Sequence, residues 1–228
     1  MASTYTDLGI ELMATGENAG TWGTKTNNNL NLIEQLTGGF ATLSIAGGAG
    51  TQALDIDDGA LTGTAQQRII EFTGSITGNR VVRIPLDVET FYILKNSTSG
   101  AYTVQFKYAT GSGSSTTFSA TDKGIKTVYA SANDGTNPDI VDVMANSSEI
   151  VLANNNPIKF NDADNSAFVG IDAPTTVSGS YTLTLPAAVG SASQALVTTD
   201  GAGTLGFTST SSFGITTGKA IAMAIVFG

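Results

Sequence analysis

Residues 102–108 read YTVQFKY, the clearest alternation of apolar and polar side chains in this sequence. Tyr102, Val104, Phe106 and Tyr108 share one face of a β-strand, because successive side chains of a strand point to opposite sides. Polar residues occupy the other face. The pattern predicts a strand that packs one face on an apolar core and turns the other to solvent.

Strand signals continue on both sides of this segment. Seven further stretches are rich in β-branched and aromatic residues and are separated by clusters of Gly, Asp, Asn and Ser. They are residues 41–45, 52–56, 68–72, 80–84, 90–94, 125–130 and 140–144. Eight short strands over about a hundred residues are typical of a β-sandwich or jelly roll. We therefore predict a mostly β protein with a central β-sandwich or jelly-roll-like domain over residues 40–145.

A short helix is predicted in the N-terminal segment, residues 1–39. Thr26 or Asn27 can cap a helix over residues 28–36, in which Leu32 and Leu36 lie one turn apart. A helix of about ten residues is marginal in water. Its apolar side must therefore dock, either on the sheet of this chain or on copies of itself.

The composition excludes several classes of enzyme. The 228 residues include no cysteine and no histidine. Disulfides, thiolate nucleophiles, the commonest zinc ligands and the usual proton carrier near neutral pH are all missing. Only 13% of residues are charged, about half the usual quarter, and Gly is frequent. This composition suits β-structure of an extracellular or virion protein.

The charge and hydropathy of the sequence limit the classes of binding partner that we expect. Ten basic against nineteen acidic residues give a net charge of −9, and the cations are scattered, so we expect no nucleic-acid binding. No run reaches the roughly 18–20 apolar residues that span a bilayer, so we expect no membrane insertion. The N-terminal residues also lack the pattern of a signal peptide, which predicts that the chain is not exported by that route.

Two pairs of carboxylates are candidates for a glycosidase site. Asp87 with Glu89, and Asp139 with Asp142, are near each other in sequence. Carboxylates two apart on a strand share a face and repel each other, which fits a solvated sheet surface better than a cleft. We therefore expect no catalytic residues.

Two acidic loops partly match calcium-binding loops. They are residues 55–59, DIDDG, and residues 161–165, NDADN. The first lacks an acid in the required register, and the second lacks both the Gly and the later Glu of such loops. Solvated turns explain both, and we expect no metal and no cofactor.

The distal region, residues 146–228, changes in character. Its strands are short and separated by Gly, Ser, Thr and Asn, so they offer too little apolar surface for a monomeric globule. Trimeric β-fibres solve this problem by winding short strands of three chains around a shared axis. We expect a trimeric fibre-like region. For residues 146–213 the sequence does not distinguish an intertwined fibre from a compact trimeric domain.

The C-terminal residues 219–228 read KAIAMAIVFG and would aggregate if exposed. The large apolar side chains share one face of a strand and are predicted to point into a trimer axis or a partner's groove. They are Ile221, Met223, Ile225 and Phe227.

Several segments resemble proteins of bacteriophages. Residues 181–188, YTLTLPAA, followed by residues 190–205, GSASQALVTTDGAGTL, resemble a segment common in tail-fibre proteins of tailed phages. The sequence departs from that segment at Ser193, where Gly is frequent, and near Phe207, where Trp is frequent.

Other stretches are similar to a β-domain found in structural proteins of marine phages and to the ends of such proteins. The domain-like stretches are FTG at 72–74, VRIP at 82–85, LKNSTSGAYTV at 94–104 and GSG at 111–113. The end-like stretches are TWGTKTNNNLN at 21–31 and TGKAIAMAIVFG at 217–228.

The resemblance implies a homotrimeric virion structural protein, a tail-fibre or appendage component that acts in assembly and host attachment, located in the virion. It leaves open whether the part is tail, baseplate, neck or capsid, and a capsid decoration protein is the alternative. It also implies that the N-terminal segment attaches to other virion proteins. Trp22 is then either a packing anchor or an attachment plug, and Leu32 and Leu36 belong to the predicted interface.

A receptor-binding module for a host-surface glycan is the other alternative. The candidate contacts are the loops at residues 111–117 and 134–138, because loops on a rigid sandwich carry recognition. Aromatic residues could form a platform for a sugar ring, although their alternation favours the core. They are Phe91, Tyr92, Tyr102, Phe106 and Tyr108.

Overall fold

A computed structural model describes residues 2–152 and 156–213. The chain divides into two units, Met1–Ile150 and Val151–Gly228. The first unit contains β1 (Thr4–Tyr5), β2 (Glu11–Leu12), α1 (Trp22–Gly38), β3 (Phe40–Ser44), β4 (Gly50–Ala53), β5 (Ile69–Thr73), β6 (Arg80–Ile84), β7 (Thr90–Asn96), β8 (Val104–Tyr108), β9 (Thr116–Phe118), β10 (Ile125–Ala130) and β11 (Ile140–Asp142). The second contains β12 (Ile158–Asn161), β13 (Phe168–Ile171), β14 (Gln194–Thr198), β15 (Leu205–Ser209) and a 3-10 helix, Thr210–Phe213.

The prediction of a mostly β protein is confirmed. All eight strands predicted between residues 40 and 145 have an observed counterpart within a few residues. The three-residue strand β9 was not predicted, because it lies in a run of Ser and Thr that reads as a loop. Within the described residues, no helix has the length and apolarity to cross a membrane.

In the first unit the chain winds back and forth between two main sheets. One sheet has the strand order β11-β10-β7-β5-β3, and the other has the order β4-β6-β8-β9. From β3 to β8 the chain alternates between the sheets, and each strand pairs in parallel with the strand two positions along. This is the winding of a short β-solenoid. A jelly roll is antiparallel throughout, so the structure differs from that detail of the expectation.

The last strands close the winding with antiparallel pairs. Strand β9 pairs with β8, and β10 pairs with β7 and β11. The turns that follow β3, β5 and β7 stack on one another. Isolated β-bridges there join Gly47 to Ile76 and Ser75 to Ser99. Gly100 follows Ser99 with φ +98°, and a Cβ there would collide with the carbonyl oxygen of Ile76. Only glycine fits this close approach of two stacked turns.

The core lies between the two sheets. Val104, Phe106 and Tyr108 are buried, which confirms the alternation in the decisive segment, whereas Tyr102 precedes β8 and is exposed. The Tyr92 ring meets Phe106 edge-on at 5.5 Å between centroids. Two buried hydroxyls find carbonyl acceptors, Tyr92 on Ala65 at 2.8 Å and Tyr108 on Val88 at 2.7 Å. Burial raises the pKa of Tyr108 to about 12 and that of Tyr92 further.

The helix α1 begins six residues before the predicted start and ends two residues after the predicted end. Its Asn-rich sequence is a weak helix former, and the side-chain oxygen of Thr21 before it accepts no capping hydrogen bond from the first turn. Contacts with the preceding segment hold it instead. Asn29 exchanges two hydrogen bonds with the backbone of Glu11, and Lys25 pairs with the Glu11 carboxylate at 2.9 Å. The Lys25 hydrogen bond lowers the pKa of Glu11.

The described residues of the second unit form two separate hairpins. Strands β12 and β13 pair antiparallel, and so do β14 and β15. A single bridge joins Thr184 to Thr204. Apart from that bridge at Thr184, residues 181–186 lie outside the observed strands.

Candidate assembly interface

The hairpin of β12 and β13 has one wholly apolar face. Ile158 lies opposite Ile171, and Phe160 lies opposite Val169. All four side chains are exposed in the single chain. We call these four residues the hairpin apolar face.

The reverse of the same hairpin is mostly polar. It carries Lys159, Asn161, Phe168 and Gly170. The ammonium of Lys159 lies 4.3 Å from the centre of the Phe168 ring in a cation–π contact, and the Phe168 side chain is itself exposed. The hairpin is therefore amphipathic, with one wholly apolar face and one mostly polar face, and both faces are exposed in the single chain.

The other described residues of the second unit do not cover the hairpin apolar face. Across residues 156–211 no residue is buried in the single chain. In the second hairpin, Leu196 lies opposite Phe207, and both are exposed. A two-stranded hairpin is marginally stable in water without a packed face. The described part of this unit therefore has secondary structure but no core of its own.

The helix α1 presents a second apolar side. Trp22, Leu30 and Ile33 are exposed, and at 100° per residue they fall within one stripe of the helix. Leu32 and Leu36 lie on a different side and are buried within this chain. The structure thus gives the two leucines an intramolecular role and leaves Trp22 accessible. Sequence reasoning missed Leu30 and Ile33, whose spacing from Trp22 was the available signal.

An apolar row also crosses the outer face of the five-stranded sheet. Phe40, Ile69 and Ile93 are neighbours on three parallel strands. Next to this row, Phe91 lies opposite Tyr129, with ring centroids 5.0 Å apart. Phe40 and Phe91 are exposed, while the other three are half-buried.

The remaining predicted interface residues, Ile221, Met223, Ile225 and Phe227, lie outside the described residues.

The carboxylates of the two candidate glycosidase pairs have separate structural partners. Glu89 accepts a hydrogen bond from Tyr129, and Asp142 pairs with Lys126 at 2.9 Å. Asp139 accepts the backbone N–H of Ser114 at 2.7 Å, which lowers its pKa. Three of the four carboxylates thus hold strands and loops together.

The two acidic loops are hydrogen-bonded turns. Thr64 donates to Asp55 through its hydroxyl and its backbone N–H and lowers the pKa of that carboxyl. Ser166 donates to Asp162 and, through its backbone, to Asp164. Within the described residues, no three acidic side chains are close enough together to hold a metal ion.

The aromatic residues considered for sugar stacking do not form one platform. Tyr92, Phe106 and Tyr108 are buried, whereas Phe91 and Tyr102 are exposed. The two candidate recognition loops do come together. Ser112 donates to the side-chain oxygen of Asn137 through its backbone N–H at 2.8 Å, which links the loop at 111–117 to that at 134–138.

No protein-family model, curated protein or solved structure matches this chain.

Proposed function

We propose that this protein is a homotrimeric structural component of a phage virion, a tail-fibre or appendage protein that acts in assembly and host attachment. The phage-like segments described above supply the virion context. The observation that carries the proposal is the second unit, where the described residues bury nothing in the single chain yet expose the hairpin apolar face.

Identical copies are the occupants that this face fits. It bears no charged side chain, so copies can meet there without like-charge repulsion. Residues 156–211 contain four acidic residues, all of which lie outside the strands: Asp162, Asp164, Asp172 and Asp200. Most soluble oligomers join identical copies through a closed symmetry axis. A three-fold arrangement would place three apolar faces around one axis.

The first unit has a separate role in the proposal. It has a packed core between its two main sheets, and α1 in the same unit exposes an apolar stripe. Trp22, Leu30 and Ile33 would dock on another virion protein, with Trp22 as the anchor, since aromatic side chains dominate interface energetics.

Location in the particle tests the virion proposal. Gold-labelled antibodies against the first unit are applied to purified virions and imaged by electron microscopy. Label at the tail supports the appendage proposal, and label spread over the head supports a capsid decoration protein instead. Absence of the protein from purified virions, measured by mass spectrometry, contradicts both.

A further inference from the structure

Most basic side chains of this acidic chain have an interaction partner within the described residues, but two do not. Nine of the ten lie in described residues, and seven have a partner. Lys25, Lys95 and Lys126 pair with carboxylates, Arg68, Arg80 and Lys123 donate to protein oxygens, and Lys159 lies over a ring. Arg83 and Lys107 have no side-chain partner among the described residues.

These two cations are direct neighbours. Arg83 on β6 is in register with Lys107 on β8, and neighbouring strands lie about 4.8 Å apart. Both point away from the core, because Val82, Ile84 and Phe106 on either side of them are fully buried. The Nε of Arg83 is buried and donates to no described residue.

Like charges directly opposite each other on adjacent strands destabilise a sheet. An anion between them would reverse the sign of this interaction. The planar guanidinium is the side chain best suited to grip a carboxylate or sulfate with two parallel hydrogen bonds. We infer that Arg83 and Lys107 form an anion-binding site on the outer face of the four-stranded sheet.

The surroundings indicate the class of ligand. Gln105, two residues before Lys107, lies opposite Thr117 and donates to Ser115 at 3.0 Å. Amide and hydroxyl groups thus lie beside the cations, as a hydroxylated ligand requires. A net charge of −9 opposes a densely charged polymer such as nucleic acid. The fitting ligand is an acidic saccharide with spaced carboxylate or sulfate groups.

This site goes beyond the proposed assembly role and does not depend on the oligomeric state. It also differs from a stacking platform, because charge and not an aromatic ring provides the recognition. Ser115 and Thr117 belong to the loop and strand end already considered for glycan contact.

Calorimetric titration of the full chain at low ionic strength tests the site. The probes are an oligogalacturonate for carboxylate, a carrageenan oligosaccharide for sulfate, a neutral maltooligosaccharide and a single-stranded DNA. We expect at least one anionic saccharide to bind and the neutral one not to bind. The anionic saccharide that binds more tightly identifies whether the site prefers a carboxylate or a sulfate group. No binding by either acid, or DNA binding as tight as that of the saccharide, overturns the inference.

The variants are matched in charge. Arg83→Gln with Lys107→Gln should weaken saccharide binding at least about tenfold, because both donors are lost. Lys95→Gln with Lys123→Gln removes the same charge elsewhere and should leave the affinity within about twofold. An equal loss in both doubles would show a nonspecific charge effect and overturn the site.

The free protein gives a second readout. Lys107→Gln removes one of two opposed like charges, so its melting temperature at low salt should equal or exceed that of the wild type. A lower melting temperature would reveal a stabilising partner for Lys107 and would overturn the inference that its charge is unpaired.

Discussion

Phe160→Ala separates an isolated chain from an assembly by the size of its effect. In the single chain this side chain is 57% exposed. Truncation of a surface residue normally changes the free energy of unfolding by no more than about 0.5 kcal/mol. Burial against the faces of two other copies changes this expectation, because truncating a buried Phe costs about 3–5 kcal/mol.

The proposed trimer would contain this contact three times. If the three sites behave independently, the free energy of assembly falls by roughly 9–15 kcal/mol. A tenfold change in an equilibrium constant corresponds to about 1.4 kcal/mol. The variant should therefore dissociate at micromolar protein concentration while the first unit keeps its packed core.

Sedimentation velocity at several protein concentrations measures the loss of trimer, and near-ultraviolet circular dichroism reports the core of the first unit. Asn161→Ala is the matched control, because it truncates the next residue of β12 on the opposite face of the hairpin. We expect the control to sediment as the wild type does. If Phe160→Ala also sediments and melts as the wild type does, the hairpin apolar face is not an interface.

Three further outcomes are expected. Tyr92→Phe leaves the buried Ala65 carbonyl without its hydrogen bond and should lower the stability of the first unit by about 1–3 kcal/mol, measured by urea unfolding; an unchanged midpoint would contradict the bond. Lys25 lowers the pKa of Glu11 in the folded state. The Glu11–Lys25 pair therefore stabilises the folded state fully at pH values above the ordinary pKa of glutamate, and this stabilisation is lost as the pH falls through the lowered pKa of Glu11. The difference in melting temperature between wild type and Glu11→Gln should therefore shrink in acid, and a constant difference would contradict the pair. Ile225→Asp, outside the described residues, is predicted from sequence to abolish the trimer and spare the first unit, which light scattering checks; an unchanged trimer would show that the segment is exposed.

The strands were predictable because alternation is visible in the sequence. Val104, Phe106 and Tyr108 were assigned to the core by spacing alone, and they are buried. Strand direction was not predictable, because alternation fixes the face of a side chain and not the partner strand. The β3–β5 and β5–β7 ladders are parallel through contacts far apart in sequence. Turn signals between short strands read the same in a sandwich and in a solenoid.

Candidate site residues were harder to place. Leu32 and Leu36 were recognised as an apolar pair, but helical periodicity does not say whether the covering surface belongs to the same chain. The structure shows that it does. The pairing of Phe160 with Val169 depends on hairpin register, which follows from the turn between them. Arg83 and Lys107 are 24 positions apart in sequence, and only the parallel ladder makes them neighbours.

The solution mass of the intact chain tests the central proposal most directly. Size-exclusion chromatography with multi-angle light scattering, performed at micromolar concentration, should give three times the 23.2 kDa mass of one chain. A well-folded species with the mass of a single chain would contradict assembly through the hairpin apolar face.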